Sequence, residues 1–300
     1  MFKVTILGSS GSAPTKDRGL SSVAVSREGS IYLFDCGEGT QRQMLKYGLN
    51  ISKVKAIFIT HMHGDHVIGI AGLVRTLSLY KRSEPLSIFV PKGYESAAES
   101  LLKFDSAIMT YEINVVGVKS GIVYRGEGIE VRAFKLVHSI PTYGYSFVEE
   151  GKLHFVKGKA DALGIKGKKF GEIQKKGKIK IDGKLIRLSE ITYPEKEKKF
   201  TYASDTRPAA STAIAAKDAE LLVHEATYCE DLERLARERK HSTSAEAAQV
   251  AKNAHAKKLV LTHISARYRN ASQIRSEAAK VFRNVEVAED GNEYKIDRGS

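Results

Sequence analysis

Ala56-Ile57-Phe58-Ile59-Thr60-His61-Met62-His63-Gly64-Asp65-His66 is the stretch that decides how the rest of the chain is read. Its apolar opening, rich in β-branched and aromatic residues, is the pattern of a buried strand, and it stops abruptly at polar residues. Side chains two apart in an extended segment project to the same side, so His61 and His63 can present imidazoles to one cation. Asp65 and His66, past a turn at Gly64, can address a neighbouring cation. Mixed imidazole and carboxylate donors suit zinc, with manganese or iron as poorer fits. A chance cluster of histidines on a surface loop explains this spacing badly.

Outward from this run, apolar segments with turn signals between them predict strands over 3–7, 31–35, 54–60, 86–90, 111–118, 129–137, 200–204, 221–225 and 258–263, with late strands near Val285 and Tyr294. Helical spacing predicts helices over 38–46, 66–80, 94–104, 211–217, 244–256 and 272–282. Strands and helices interleave from end to end, which predicts an α/β chain with one helix-covered sheet in each half. The length of 300 residues suits one large domain or a domain with an appendage.

One segment departs from the pattern. Residues 151–200 hold 15 Lys and Arg against 6 Asp and Glu, a net +9 of the chain's +13. Little helical periodicity shows in 151–199, but Asp182-Gly183 between alternating apolar residues signals a hairpin over 179–186. A net charge of this size favours a polyanionic partner, although a lysine-rich, solvated insertion is the plainer reading of charge alone. Cys36 and Cys229 stand far apart, which excludes a CxxC site and argues against a disulfide framework. The opening residues lack a secretory pattern and no charge-free run reaches about 18 residues, so a cytoplasmic chain without membrane partners is expected.

Two metals need more donors than one loop supplies. His138, Asp205 and His263 each follow a predicted strand, where loops can converge over a shared edge without burying an unpaired charge in the core. Each alone is an ordinary strand-end residue; their recurrence beside the histidine run makes them candidate ligands. Glu225, His224 and Thr227 read on their own as capping or packing residues, and His241 as a residue beside a helix cap.

The run His61 to His66, together with Leu7-Gly8-Ser9-Ser10-Gly11-Ser12-Ala13-Pro14, Asp35-Cys36-Gly37-Glu38-Gly39-Thr40-Gln41, His138-Ser139, Ser204-Asp205-Thr206, His224-Glu225-Ala226-Thr227, His241-Ser242-Thr243 and Thr262-His263, resembles the metallo-β-lactamase superfamily and, within it, the ribonuclease Z family. The resemblance covers essentially the whole chain. It implies a metallo-β-lactamase-like αββα sandwich over residues 1–300, with 151–199 as an inserted, flexible, basic exosite arm that binds tRNA. It implies two zinc ions per subunit, one held by His61, His63 and His138, the other by Asp65, His66 and His263, with Asp205 bridging and Asp35 supporting the loop beneath. The activity implied is endonucleolytic removal of the 3′ trailer from precursor tRNA, leaving a 3′-hydroxyl and a 5′-phosphate, by a cytoplasmic homodimer.

In the mechanism that the resemblance implies, Asp65 serves as base or orienting group for the attacking water, and His241 donates a proton to the leaving oxygen with Glu225 set against it. Lys166, Lys168, Lys169, Lys175 and Lys176 of the arm, and Arg18 of the loop Pro14-Thr15-Lys16-Asp17-Arg18-Gly19, are the candidate substrate-binding residues. That loop carries Gly19 where the family pattern has asparagine, and the arm lacks the family's Gly-Pro motif. Two other readings compete: a relative acting on a thioester, lactone or small phosphodiester, and an RNA-binding protein with a purely structural zinc. His154 and His255 match no motif and are expected to face solvent or pack.

Overall fold

The computed structural model describes residues 1–103, 109–151 and 153–297. It divides into two compact units, Met1–Val148 with Lys199–Ser300, and Glu149–Lys198.

The larger unit is built on two seven-stranded sheets. The first runs, in spatial order, Glu293–Ile296, Phe2–Gly8, Ser22–Arg27, Ser30–Phe34, Val54–Phe58, Leu86–Pro91 and Ile113–Val118. The second runs Val285–Val287, Leu259–Thr262, Leu221–Glu225, Lys198–Ala203, Tyr143–Glu149, Ile129–Lys135 and Gly121–Gly126. Alternate side chains of a single strand serve different cores, which is why these strands read as continuous apolar runs. Ala56 and Phe58 join Phe34, Tyr145, Phe200 and Tyr202 between the sheets, while Ile57 and Ile59 join Leu73, Val74 and Leu77 of the helix Gly69–Leu79 on the outer face. Val223 likewise faces the inter-sheet core, and Leu222 packs on the helix side with Ala247, Ala248 and Ala251 of Ser244–Asn253. The result is the expected αββα sandwich. Small alanine side chains let that helix lie close on its sheet, and a capping box between Thr243 and Glu246 fixes where it starts.

Three strands of these two sheets go beyond what the sequence pattern predicts: Ser22–Arg27, Gly121–Gly126 and Tyr143–Glu149. Each is short or interrupted by Ser or Gly, and each is stabilised by pairing with a distant or adjacent partner rather than by its own pattern. The expected helix over 66–80 is two pieces, Gly64–Val67 and Gly69–Leu79. The last residue of the helix expected over 94–104 lies outside the described residues; the observed helix is Glu95–Leu102. Glu293–Ile296 also breaks the half-by-half layout, since it returns to pair antiparallel with Phe2–Gly8.

The smaller unit corrects the expectation of little helix. It contains the helices Lys157–Ala162 and Lys168–Lys176 and the hairpin Lys178–Ile181 with Lys184–Arg187, around a core of Ala160, Ile165, Ile173, Ile179, Ile186 and Ile191. In Lys168–Lys176 only Phe170 and Ile173 are apolar, one turn apart, a run too short to register as a periodicity. Asp182 and Gly183 both take positive φ, 48° and 78°, as the tight hairpin turn requires.

Pairing brings distant residues to one edge. Lys198–Ala203, Leu221–Glu225 and Leu259–Thr262 are parallel, with Ala203 opposite His224 and Glu225 opposite Thr262, so Asp205, Glu225 and His263 emerge side by side. Ser30–Phe34 and Val54–Phe58 are parallel with Phe34 opposite Phe58, which sets Asp35 beside Thr60 and His61. Asp35, Asp205 and His263 each turn sharply off the strand end with φ of 59°, 53° and 56°. No helix among the described residues is long and apolar enough to cross a membrane.

The first turn of Gly69–Leu79 presses on the loop of Cys36 and Gly37: Gly69 N donates to Cys36 O at 3.0 Å, and a Cβ at Gly69 would fall 2.0 Å from Gly37 O. Gly69→Ala is expected to destabilise the fold by about 1–3 kcal/mol through overpacking against rigid backbone. A lowered urea midpoint relative to the parent measures it; an unchanged midpoint would contradict the close approach.

Candidate metal centre

The histidine run and the strand-end residues converge. His61, His63, His138 and Asp205 form one group and Asp65, His66 and His263 a second, the donor atoms of each lying within 4.8 Å of one another. Asp205 divides its carboxylate between them. Its Oδ2 lies 3.6 Å from His61 Nε2 and 3.7 Å from His138 Nε2, and its Oδ1 lies 3.2 Å from His66 Nε2 and 3.1 Å from His263 Nε2. Asp65 Oδ2 stands 3.4 Å from both His66 Nε2 and His263 Nε2.

Each histidine but His63 has its other nitrogen occupied. His66 Nδ1 donates to Asp35 Oδ2 at 2.7 Å, and His138 Nδ1 donates to the Lys240 carbonyl at 3.2 Å. Thr60 Oγ1 donates to Asp35 and can therefore accept from His61 Nδ1 at 3.0 Å. Thr227 Oγ1 donates to Glu225 Oε2 at 2.7 Å and accepts from His263 Nδ1 at 3.0 Å. All four rings are thereby fixed in the tautomer that turns Nε2 to the centre, the arrangement that raises the basicity of a metal-ligating imidazole. His63 instead offers Nδ1, 2.9 Å from His61 Nε2.

The donors fit a metal. His66 Nε2 and His263 Nε2 are buried with no hydrogen-bond partner, close to Asp205 Oδ1 yet not aligned to bond it. Buried orphan acceptors of this kind are costly unless a cation meets them. Charges in the cluster keep the carboxylates ready for that role. Burial works against ionised Asp205, but His263, His66 and His61 hold it well below the usual carboxylate range. Asp65 is likewise lowered, burial being outweighed by the adjoining His263 and His66 rings.

Beside the centre lies a second buried carboxylate. Glu225 accepts from Thr206 N at 2.6 Å, Thr227 N at 3.3 Å, Ser242 N at 3.1 Å, Thr227 Oγ1 at 2.7 Å and His241 Nδ1 at 2.9 Å. Burial opposes the charge on His241, yet Glu225 pushes its pKa up to about 9, so the ring is cationic at neutral pH. The His241 ring sits 5.4 Å from that of His263 and 5.2 Å from that of His138, centroid to centroid. The pair can therefore deliver a proton beside the metal donors. The reading of Glu225 as a helix-capping acid does not hold, because it closes a strand.

Arg18 is turned inward: its guanidinium donates to Ser9 Oγ at 2.8 Å and to the Ala288 carbonyl, tying the loop to the body. Lys166, Lys168, Lys169, Lys175 and Lys176 are exposed, with Lys169 reaching Gly164 O and Lys176 paired to Glu172. His154, which pairs with Glu195, and His255 are exposed. Thr60, Thr227 and Tyr202, whose Oη donates to Asp35 Oδ2 at 3.0 Å, take positioning roles that the sequence does not signal, since a hydroxyl acquires such a role only once its partners are in place. Ser12 N, which donates to Asp65 Oδ2 at 2.9 Å, carries no signal at all in its side chain.

Comparisons with known proteins bear on the family and the fold. The family model described as Anti-Pycsar protein Apyc1 matches residues 2–156, a stretch that includes His61 to His66 and His138 but not Asp205, Glu225, His241 or His263. A ribonuclease Z of Methanosarcina acetivorans is 40% identical over 99% of this chain and 98% of its own length, and one of Halorubrum lacusprofundi is 42% identical over 94% and 92%. The crystal structure of the short form of human tRNase Z superposes with a TM-score of 0.72 at 28% identity, covering 98% of this chain and 99% of that one. With its αββα sandwich, split-carboxylate centre and end-to-end relatives, the chain belongs to the ribonuclease Z family of the metallo-β-lactamase fold.

Proposed function

We propose that the protein is a zinc-dependent endoribonuclease that removes the 3′ trailer from tRNA precursors, leaving a 3′-hydroxyl on the tRNA and a 5′-phosphate on the trailer. The observation that carries the reading is the Glu225–His241 pair, bonded at 2.9 Å, with the His241 ring stacked on that of His263. Metal donors alone serve many hydrolases; a cationic imidazole held beside them answers the need of a poor alkoxide leaving group.

His61, His63 and His138 would hold one zinc ion, Asp65, His66 and His263 a second, with Asp205 offering one oxygen to each. When bound, the ions supply Lewis-acid charge to the phosphate and acidify water. Asp65, partly open to solvent, orients the attacking water and takes its proton. Water adds to phosphorus as the bond to the tRNA O3′ breaks, and His241 Nε2 protonates that oxygen while Glu225 retains the charge balance on Nδ1. The lysines of the smaller unit bind backbone phosphates, the contact by which proteins recognise A-form RNA through shape. Arg18 shapes its loop rather than offering a free cation. The reading extends to a homodimer and to the cytoplasm, as the resemblance implies.

The direct test incubates the protein with a 3′-extended tRNA precursor, with and without chelator, and maps both ends; chelator-insensitive cleavage, or none with metal present, would sink the reading. His241→Ala is expected to keep its zinc by elemental analysis while precursor cleavage slows by about 100-fold or more. Asp35→Asn removes no ligand but loosens His66, and zinc affinity measured by chelator competition should fall by about 10-fold to 100-fold. Replacing residues 152–197 by a short Gly-Ser linker should impair precursor processing far more than hydrolysis of a small phosphodiester; equal losses would contradict the division between binding lysines and metal chemistry.

A further inference from the structure

We propose that Arg207 is a positioning residue for the proton donor His241, a role that rests on the reading of His241 given above. Arg207 lies two residues beyond the split carboxylate of Asp205. Its guanidinium, 18% exposed, donates through Nη1 to the His241 carbonyl at 2.6 Å and to Glu246 Oε2 at 2.8 Å, and through Nη2 to Glu246 Oε1.

Glu246 is itself tied down. Its Oε2 accepts from Thr243 N at 2.9 Å in the capping box of Ser244–Asn253, so the arginine grips a rigid helix end with one edge and the main chain of the donor with the other. The main chain of Arg207 donates to Val137 O at 2.9 Å, next to the ligand His138. Ser242, following His241, donates its hydroxyl to Thr206 O at 2.6 Å. The loop bearing His241 has little regular structure to hold it: Lys240 takes φ of 58°, and His241 N bonds Ala236 O. Glu225 fixes one ring nitrogen, but the height of the ring over the centre is set by its main chain, and Arg207 is the side chain that clamps the carbonyl there.

A proton donor acts only within hydrogen-bond reach of the leaving oxygen, and a displacement of about 1 Å can cost about 100-fold in rate. A planar, forked guanidinium makes this three-way contact; a lysine ammonium on the same stem does not reproduce it. The distinction between positioning and mere support shows in the leaving group. Bis(p-nitrophenyl) phosphate expels a stabilised anion that needs no proton, whereas precursor RNA expels an alkoxide that does. A residue acting through His241 must therefore affect the two substrates unequally.

The test compares kcat and KM on a 3′-extended tRNA precursor and on bis(p-nitrophenyl) phosphate for the parent, Arg207→Ala, Arg207→Lys, Glu246→Gln and His241→Ala, each with its zinc content measured. The expected result is that Arg207→Ala lowers kcat on RNA by at least about 10-fold more than kcat on the nitrophenyl ester, at equal zinc and with KM for RNA moving less than kcat. Arg207→Lys should not restore the ratio, and Glu246→Gln, which keeps the cap but weakens the clamp, should move it the same way by less. Should Arg207→Ala fail to fold, the Lys and Gln variants carry the same comparison. Equal losses on both substrates, or a raised KM for RNA with kcat intact, would overturn the proposal. If His241→Ala splits the substrates and the Arg207 variants do not, Arg207 alone loses its role; if His241→Ala shows no split, both roles fall.

Discussion

A carboxylate shut away from water has to be surrounded by donors, and Asp35 satisfies that constraint in a way that organises the centre. Fully buried, it accepts from Thr60 N at 2.8 Å, from Thr60 Oγ1, from His66 Nδ1 at 2.7 Å and from Tyr202 Oη at 3.0 Å. Thr60 and His66 belong to the histidine run; Tyr202 belongs to the facing sheet. One buried charge thus stitches the two sheets together directly beneath the ligands and orients His66, and through Thr60 also His61. An unpaired charge at this depth would cost several kcal/mol, so the donors and the acid are specified together or not at all.

Glu225 plays the corresponding part on the second sheet, with five donated hydrogen bonds. Thr227 ties this acid to the metal centre, since the hydroxyl that donates to Glu225 accepts a hydrogen bond from His263 Nδ1. His61, His66, His263 and His241 are therefore held by buried acids and hydroxyls rather than by their own packing. Such pre-organisation lets charge developing on a phosphate meet fixed dipoles instead of mobile water.

Much of this was legible in the sequence, because the chemistry is concentrated where strands end. The run from His61 to His66 is local, and its spacing states its geometry. His138, Asp205 and His263 are visible as recurrent strand-end residues, and parallel pairing explains why Asp205 and His263 meet. The roles of Glu225 and His241 came from resemblance, since without the register that sets them side by side each looks like a cap. Tyr202, Thr227 and Arg207 are not legible, for each depends on a partner distant in the chain, Asp35, His263 and Glu246 respectively. The helices of the smaller unit were hidden for a different reason: too few apolar residues per turn.

The neck of that smaller unit has a consequence of its own. Leu153 to Phe155 pair antiparallel with Thr192 to Pro194, and Gly151 lies so near Glu195 that a Cβ there would fall 1.8 Å from the carbonyl oxygen. The inserted chain thus leaves and returns through a two-stranded ribbon closed at its base, and lengthening what lies beyond adds little to the entropy of closing the loop. A base of that kind lets the segment beyond it change in length and sequence while the ribbon keeps its two ends together.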